Sequence, residues 1–256
     1  KRYLTIFLML LTGKTAIVTG CNRGIGRATM EIFAEHGADI FACVRKESDE
    51  FTNLINDTME KTDVSITPIY FDFSDDGQIK SGIKNIISHK SQINILVNNA
   101  GIAKGSIFQM TSSDEFRELF EINFFSQMVF TQGISRYMSR FKTGSIINIA
   151  STAGLIGDAG TIAYGSSKAA FIFATKTIAT ELGGNNIRVN SIAPSITITD
   201  MYDQMDEKGR SKLINASALK RPAEAHEIAN AALFLASDLS TYITGQVIRV
   251  DGGITI

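Results

Sequence analysis

Seven short, continuously apolar runs recur along this 256-residue chain, each separated from the next by polar or helix-periodic sequence. They are Thr15–Thr19, Ile40–Val44, Ile66–Phe71, Ile93–Val97, Ser145–Ile149, Ile187–Ile192 and Gln246–Val250. A strand with one wet face alternates apolar and polar side chains. An unbroken apolar run has to be covered on both faces, as strands of a parallel sheet are. Between the runs, helical spacing marks Ile25–His36, Asp75–Ser88, Ser113–Arg140, Tyr164–Leu182 and Pro222–Ala236. In the first of these, Ile25, Ala28, Ile32 and Phe33 share a face and Gly37 supplies the stop; in the last, Pro222 falls in the first turn. The alternation predicts one α/β domain, a Rossmann-type doubly wound seven-stranded parallel sheet with helices on both faces.

Nothing in the composition opposes this. The chain is 44% hydrophobic and 20% charged, with 21 Gly and 3 Pro, so it carries no disordered or fibrous bias. Its net charge of −1 provides no bulk field for nucleic acid or an anionic membrane, and neither is expected as a partner. Cys21 and Cys43 show no framework spacing, which fits free thiols in a reducing, cytoplasmic compartment. The histidines His36, His89 and His226 are scattered singly, and no metal site is expected. Lys1-Arg2 and the apolar run Tyr3–Leu11 resemble the start of a secretory signal, but the run is too short to span a bilayer and no small-x-small site follows. Residues 1–12 are read as an extension packed on a catalytic domain of residues 13–256.

Two constellations carry chemistry. The first strand runs into Thr19-Gly20-Cys21-Asn22-Arg23-Gly24-Ile25-Gly26, which opens a helix. Glycines there allow a tight turn and let backbone N–H groups approach a pyrophosphate at a helix N-terminus. After the second strand, where NAD sites place a carboxylate for the ribose hydroxyls, this chain has Cys43-Val44-Arg45-Lys46. Arg45, Lys46 and Arg23 converging on a 2′-phosphate would favour NADP(H), since guanidinium and phosphate pair in bidentate geometry. Further on, Tyr164 and Lys168 stand at i and i+4, neighbours on one helical face. An ammonium there is expected to draw the phenol down toward a usable acid/base range. Ser151, just past the fifth strand, sits at the carboxyl edge where open α/β sheets bind ligands.

Jointly these residues resemble the short-chain dehydrogenase/reductases, particularly the 3-oxoacyl-[acyl-carrier-protein] reductases. The resemblance rests on Thr19–Gly26, on Asn98-Asn99-Ala100-Gly101, Asn123, Ser151, Tyr164 and Lys168, on Arg188–Pro194, Thr244–Gln246 and Asp251–Gly253, and covers about residues 13–253. It implies a catalytic tetrad of Asn123, Ser151, Tyr164 and Lys168. Tyr164 would protonate a ketone as NADPH delivers hydride, and Ser151 would hold the carbonyl oxygen. Lys168 would grip the nicotinamide ribose, and Asn123 would bind the water that reconnects Lys168 to solvent. It further implies cofactor contacts from Gly20, Cys21, Asn22, Arg23, Gly24, Ile25, Gly26, Arg45, Ala100, Gly101, Tyr164, Lys168 and Pro194. Asp72 and Phe73 would meet the adenine, Asn98 the adenosine-side ribose, and Thr197 and Thr199 the nicotinamide and phosphates. A role in fatty acid biosynthesis on acyl-carrier-protein thioesters and a dimeric or tetrameric assembly through the helices of 113–140 and 164–182 follow by the same route, the Phe120, Phe124, Phe125 and Phe130 region serving core and interface.

The sequence departs from that pattern twice. Pro194-Ser195 replaces a Pro-Gly pair, which would cost about 1 kcal/mol if the loop needs a positive φ. Of two surface arginines that dock the acidic carrier, the chain offers Lys142 and Asn185, so small ketones, steroids or sugars remain open as substrates. A non-catalytic NADP(H) sensor on the same fold would show a damaged tetrad, and this one is complete. A nucleotide-sugar epimerase would need more chain after Pro194.

Overall fold

The computed structural model describes residues 9–255. In chain order the elements are β1 (Thr15–Thr19), α1 (Gly24–Glu35), β2 (Asp39–Val44), α2 (Asp49–Thr62), β3 (Ile66–Tyr70), α3 (Asp76–Ser88), β4 (Ile95–Asn98), α4 (Ser113–Phe120), a π turn (Glu121–Phe125) and α5 (Ser126–Met138). Then follow β5 (Gly144–Ile149), α6 (Ile162–Leu182), β6 (Ile187–Pro194), α7 (Asp200–Asp203), α8 (Glu207–Ala216), α9 (Ala225–Ala236) and β7 (Val247–Val250). The strands form one parallel sheet in the order β3-β2-β1-β4-β5-β6-β7. All seven expected strands are present, with ends shifted by a residue or two. Pro68 is tolerated because β3 is an edge strand, where the missing N–H interrupts no second ladder.

Each face of the sheet has its own core. One packs Met30, Phe33, Phe51, Ile55 and Ile228 of α1, α2 and α9 against β1 and β2, and Leu11 joins it fully buried. The other packs Ile79, Ile86, Phe130, Ile134 and Met138 of α3 and α5 against the opposite side. Of the expected N-terminal extension, residues 1–8 lie outside the described residues.

Several helix assignments change. On α1 the fully buried face is Gly26, Thr29, Met30, Phe33 and Ala34, with Ile25, Ala28 and Ile32 only partly covered. The helices α2, α7 and α8 were not expected; α2 shows Ser48 capping Phe51 N–H and a buried row of Phe51, Ile55 and Thr58. The single helix expected over Ser113–Arg140 is interrupted at Glu121–Phe125, where the Ser126 N–H reaches back five residues to the Glu121 carbonyl. The last helix starts at Ala225, not at Pro222. Glu224 and Glu227 close a capping box, and Arg221 grips Glu227 through two contacts of 2.7 Å.

Candidate active site

The carboxyl ends of β1, β4, β5 and β6 converge on one edge of the sheet, and almost every sequence-predicted residue lies there. β1 ends in the glycine turn. Gly20 and Gly24 adopt φ of +74° and +54°, and a Cβ on Gly26 would stand 2.1 Å from the Gly20 carbonyl oxygen. The glycines thus take the left-handed backbone without strain and bring α1 hard against the turn, leaving the N-terminus of α1 open toward the cleft. A Cβ on Gly24 would meet Thr199 Cγ2 at 3.0 Å, so the loop after β6 closes over the turn. This cradle of small residues under a helix N-terminus fits a pyrophosphate.

Other members of the expected nucleotide set behave unevenly. Asn22 is exposed beside Arg23 on the turn. The Cys21 side chain faces inward, its Sγ donating to the Val18 carbonyl at 2.9 Å, and burial pushes both its thiol and that of Cys43 well up. Arg23 and Arg45 do not converge. Arg23 pairs with Asp200 of α7 at 2.5 Å, while Arg45, 70% exposed, lies 4.0 Å from Asp72. Lys46 is exposed. The Phe73 ring belongs to the core, 5.0 Å from Phe71 and 5.7 Å from Phe130 between centroids, so it cannot stack on a base. That leaves its main chain and Asp72 as the groups of this pair that could meet an adenine.

Asn98 is likewise internal. Its Nδ2 donates to Thr131 Oγ1 (2.8 Å) and Asn148 Oδ1 (2.9 Å), and Asn148 continues to Thr175 at 2.8 Å. This polar chain ties β4, β5, α5 and α6 together behind the cleft; a ribose contact from Asn98 would have to come from its backbone. Sequence reasoning missed Thr19 and Asn99. Thr19 Oγ1 accepts from both Asn99 and Ala100 N–H at 2.9 Å, and Asn99 Nδ2 donates to the Thr19 carbonyl at 2.9 Å, stapling the Asn98–Gly101 turn to the glycine turn. The signal was the second asparagine of the Asn98-Asn99 pair.

At the chemical end Ser151, Tyr164 and Lys168 come together. Ser151 lies two residues past β5, its hydroxyl accepting from Ala153 N–H at 3.1 Å, and its side chain faces the Tyr164 phenol. Lys168 is buried on α6 with its Nζ donating to the Ile149 carbonyl at 2.9 Å and lying 5.9 Å from the Tyr164 ring centre. Burial lowers the Lys168 ammonium to about 8. Burial raises the Tyr164 phenol, and the facing Ser151 hydroxyl pulls it back only in part. The expected lowering of the phenol by Lys168 is therefore absent from the protein alone, because the ammonium is held on Ile149 and is itself weakened by burial.

Asn123 sits in the π turn, fully buried, with Oδ1 accepting from Ile102 N–H and Nδ2 donating to the Ile102 carbonyl, both at 2.9 Å. Its amide is spent on the backbone beyond Gly101 and not on Lys168. A Cβ on Gly101 would meet Asn123 Oδ1 at 2.9 Å and Lys168 Nζ at 3.6 Å, so the glycine lets the Asn98–Gly101 turn press against both. After β6, Pro194 is buried, Thr197 bonds the Ser195 carbonyl and Thr199 bonds the Thr197 carbonyl. Ser195 does not have a positive φ, so the expected strain does not arise; its Oγ is nevertheless buried without a partner among the described residues. Two largely exposed ion pairs link α7 and α8 to other loops, Arg23–Asp200 and Lys212–Asp158, each at 2.5 Å.

Sheet order, glycine turn and the helix bearing Tyr164 and Lys168 together define a Rossmann-type oxidoreductase. Comparison with known proteins narrows this. A family model described as enoyl-(acyl carrier protein) reductase matches residues 20–255. The 3-oxoacyl-[acyl-carrier-protein] reductase FabG of Thermotoga maritima is 36% identical, covering 97% of this chain and all of that protein. A 3alpha-hydroxysteroid dehydrogenase of Mediterraneibacter gnavus is 35% identical over 95% of this chain and 98% of its own. Among solved structures, a 7 alpha-hydroxysteroid dehydrogenase complexed with NADH and 7-oxo glycochenodeoxycholic acid superposes with a TM-score of 0.90 at 30% identity, over 97% of this chain and 96% of that one. The chain belongs to the short-chain dehydrogenase/reductase family of oxidoreductases.

Proposed function

We propose that the protein reduces a ketone to a secondary alcohol with NADPH, and that its substrate is a 3-oxoacyl thioester. The observation that carries this is the meeting of the Ser151 and Tyr164 hydroxyls at the carboxyl edge, with Lys168 one turn along the same helix. Bound NADPH would supply the hydride. Gly20, Asn22, Gly24, Ile25 and Gly26 would hold its pyrophosphate, Arg45 its 2′-phosphate, Asp72 and the Phe73 backbone its adenine, and Ala100, Gly101, Pro194, Thr197 and Thr199 the nicotinamide half. Ser151 donates to the carbonyl oxygen and fixes its position. Tyr164, kept protonated by burial, donates the proton as negative charge develops on that oxygen. Lys168, whose ammonium is turned to the Ile149 carbonyl in the protein alone, would hold the nicotinamide ribose hydroxyls.

A C=O reaction is favoured over the C=C reaction in the family model's description because a second hydroxyl faces the phenol, a pairing suited to one oxygen atom. The names of the FabG relatives support the thioester. The hydroxysteroid dehydrogenases among relatives and neighbours support a second reading, a steroid ketone, and Asn185 in place of a docking arginine weakens the carrier-protein partner. Phe125 and Phe173 are 51% and 71% exposed beside α5 and α6, a surface suited to a homodimer or tetramer. A cytoplasmic location accords with two free buried cysteines.

The test follows NADPH absorbance with an acetoacetyl thioester beside steroid ketones and keto-sugars. Thioester turnover is expected, and Tyr164→Phe should remove it by at least about 10²-fold while NADPH still binds. Brisk turnover of another ketone with none of the thioester sinks the substrate assignment; near-normal activity of Tyr164→Phe sinks the mechanism.

A further inference from the structure

Gln127, one turn beyond Asn123, is 1% exposed, yet its side chain is not paired as a core amide normally is. Nε2 donates to the Ala100 carbonyl at 3.0 Å and to the Ile122 carbonyl at 3.3 Å, while Oε1 is buried with no donor among the described residues. Both partners are carbonyl acceptors, so the amide can point only this way. The two belong to different structures. Ala100 is in the Asn98–Gly101 turn on the cleft wall. Ile122 is in the π turn, where the Ser126 N–H bonds Glu121, five residues back, and does not reach Ile122 at the usual four. A π turn costs the helix ladder a bond, and here a side chain meets the carbonyl concerned.

A second link between the same two segments is Asn123, whose amide takes both backbone groups of Ile102. A separate bond, Ser126 Oγ to the Phe73 carbonyl at 2.6 Å, anchors the start of α5 to the segment after β3. An apolar residue at 127 would fill the space without stranding a buried oxygen, so pure packing gives no reason for an amide there. The geometry points to Gln127 as a positioning residue: its forked bond fixes the π turn, and with it Asn123, against the cleft wall that Gly101 presses onto Lys168. This rests on the ketoreductase reading given above. The cleft wall itself has independent support, since Asn99 and Ala100 remain bonded to Thr19. Loss of Gln127 therefore slackens the π turn and spares the dinucleotide wall.

The test is Gln127→Met, close in size and without donors, assayed for ketone reduction and, separately, for NADPH binding by the cofactor's fluorescence. The proposal expects kcat to fall about tenfold, because small misplacements at proton-handling groups are costly. KM for the ketone and the dissociation constant for NADPH should stay within about twofold, with the circular dichroism of a folded chain. Combined with Asn123→Ala, the loss in kcat should be less than the product of the single losses, because Gln127 acts through Asn123 and has nothing left to position once that amide is gone. A kcat within twofold of the unmodified enzyme overturns the proposal, as does a parallel loss of kcat and NADPH binding, which is what general loosening would give. Should the Met variant not fold, Gln127→Asn shortens the arm without adding bulk and is read by the same criteria. Tyr164→Phe run alongside separates the two claims: if it remains active, the ketoreductase reading has failed, whatever position 127 does.

Discussion

At the level of single residues, charge near the adenosine end decides which dinucleotide the cleft prefers. Arg45 is free to turn toward a 2′-phosphate, since its contact with Asp72 is long and largely solvated; such pairs are worth little. A phosphate with nearly two negative charges outcompetes that single carboxylate. Arg45→Asp removes the cation and adds a carboxylate of the kind that NAD sites use for ribose hydroxyls. NADPH affinity is expected to fall by roughly 10–100-fold, the worth of one or two charge-assisted hydrogen bonds, with NADH affinity level or improved. Fluorescence titration of both cofactors reads this, and tighter NADH binding by the unmodified protein would refute the NADPH preference. Arg23 is already paired with Asp200 at 2.5 Å, which leaves Arg45 as the cation for that phosphate. The residue types of the site were legible in the sequence, but the direction each side chain takes was not. The Phe73 and Asn98 side chains are turned into the interior, because neighbours distant in sequence, Phe130 for one and Thr131 with Asn148 for the other, claim them.

For whole elements, the strands were readable because burial on both faces leaves an unbroken apolar signature, whereas α2 was not, since its one buried row is diluted by Asp, Glu, Asn and Lys on the exposed faces. The π turn was equally hidden: an extra residue within a helix leaves the periodicity nearly intact, and Asn123, Ser126 and Gln127, polar yet buried, betray it. The contact between β1 and α1 is the element pairing on which the nucleotide end depends, and it has no slack. The nearest atoms to a Cβ on Gly26 are the Gly20 carbonyl oxygen at 2.1 Å and Asn99 Nδ2 at 2.5 Å, one of them backbone. Gly26→Ala should therefore push α1 off the turn, cost about 1–3 kcal/mol of stability and abolish measurable NADPH binding. Gly157→Ala, where nothing lies within 4 Å and φ is ordinary, is the matched control and should melt with the unmodified protein. Equal behaviour of the two variants would show that the close approach at Gly26 carries no weight.

Across the whole molecule, the buried cation of the site works against the stability of the fold. Lys168 titrates near 8 in the folded chain against 10.5 for a free lysine, entirely through burial. Below pH 8 both folded and unfolded chains carry the proton, and the folded one bears the cost of a charge withdrawn from water. Between 8 and 10.5 the unfolded chain binds more protons, so the lysine's contribution to stability rises with pH through that window. The full gap corresponds to on the order of 3 kcal/mol. Other groups oppose it: Cys21, Cys43 and Tyr164 are raised by burial, so their ionisation in the unfolded chain lowers stability above about pH 9. These are common to both proteins when the unmodified chain is compared with Lys168→Met, and they cancel in the difference. Lys168→Met, lacking the cation, should be the more stable of the two in urea melts at pH 7, and its advantage should shrink steadily toward pH 10. An advantage independent of pH would mean that the Ile149 carbonyl already compensates the buried charge in full. A protein would retain a destabilising ammonium in its cleft for the sake of the cofactor it is placed to hold, and inactivity of the stabilised variant in the ketone assay is the counterpart that the same experiment supplies.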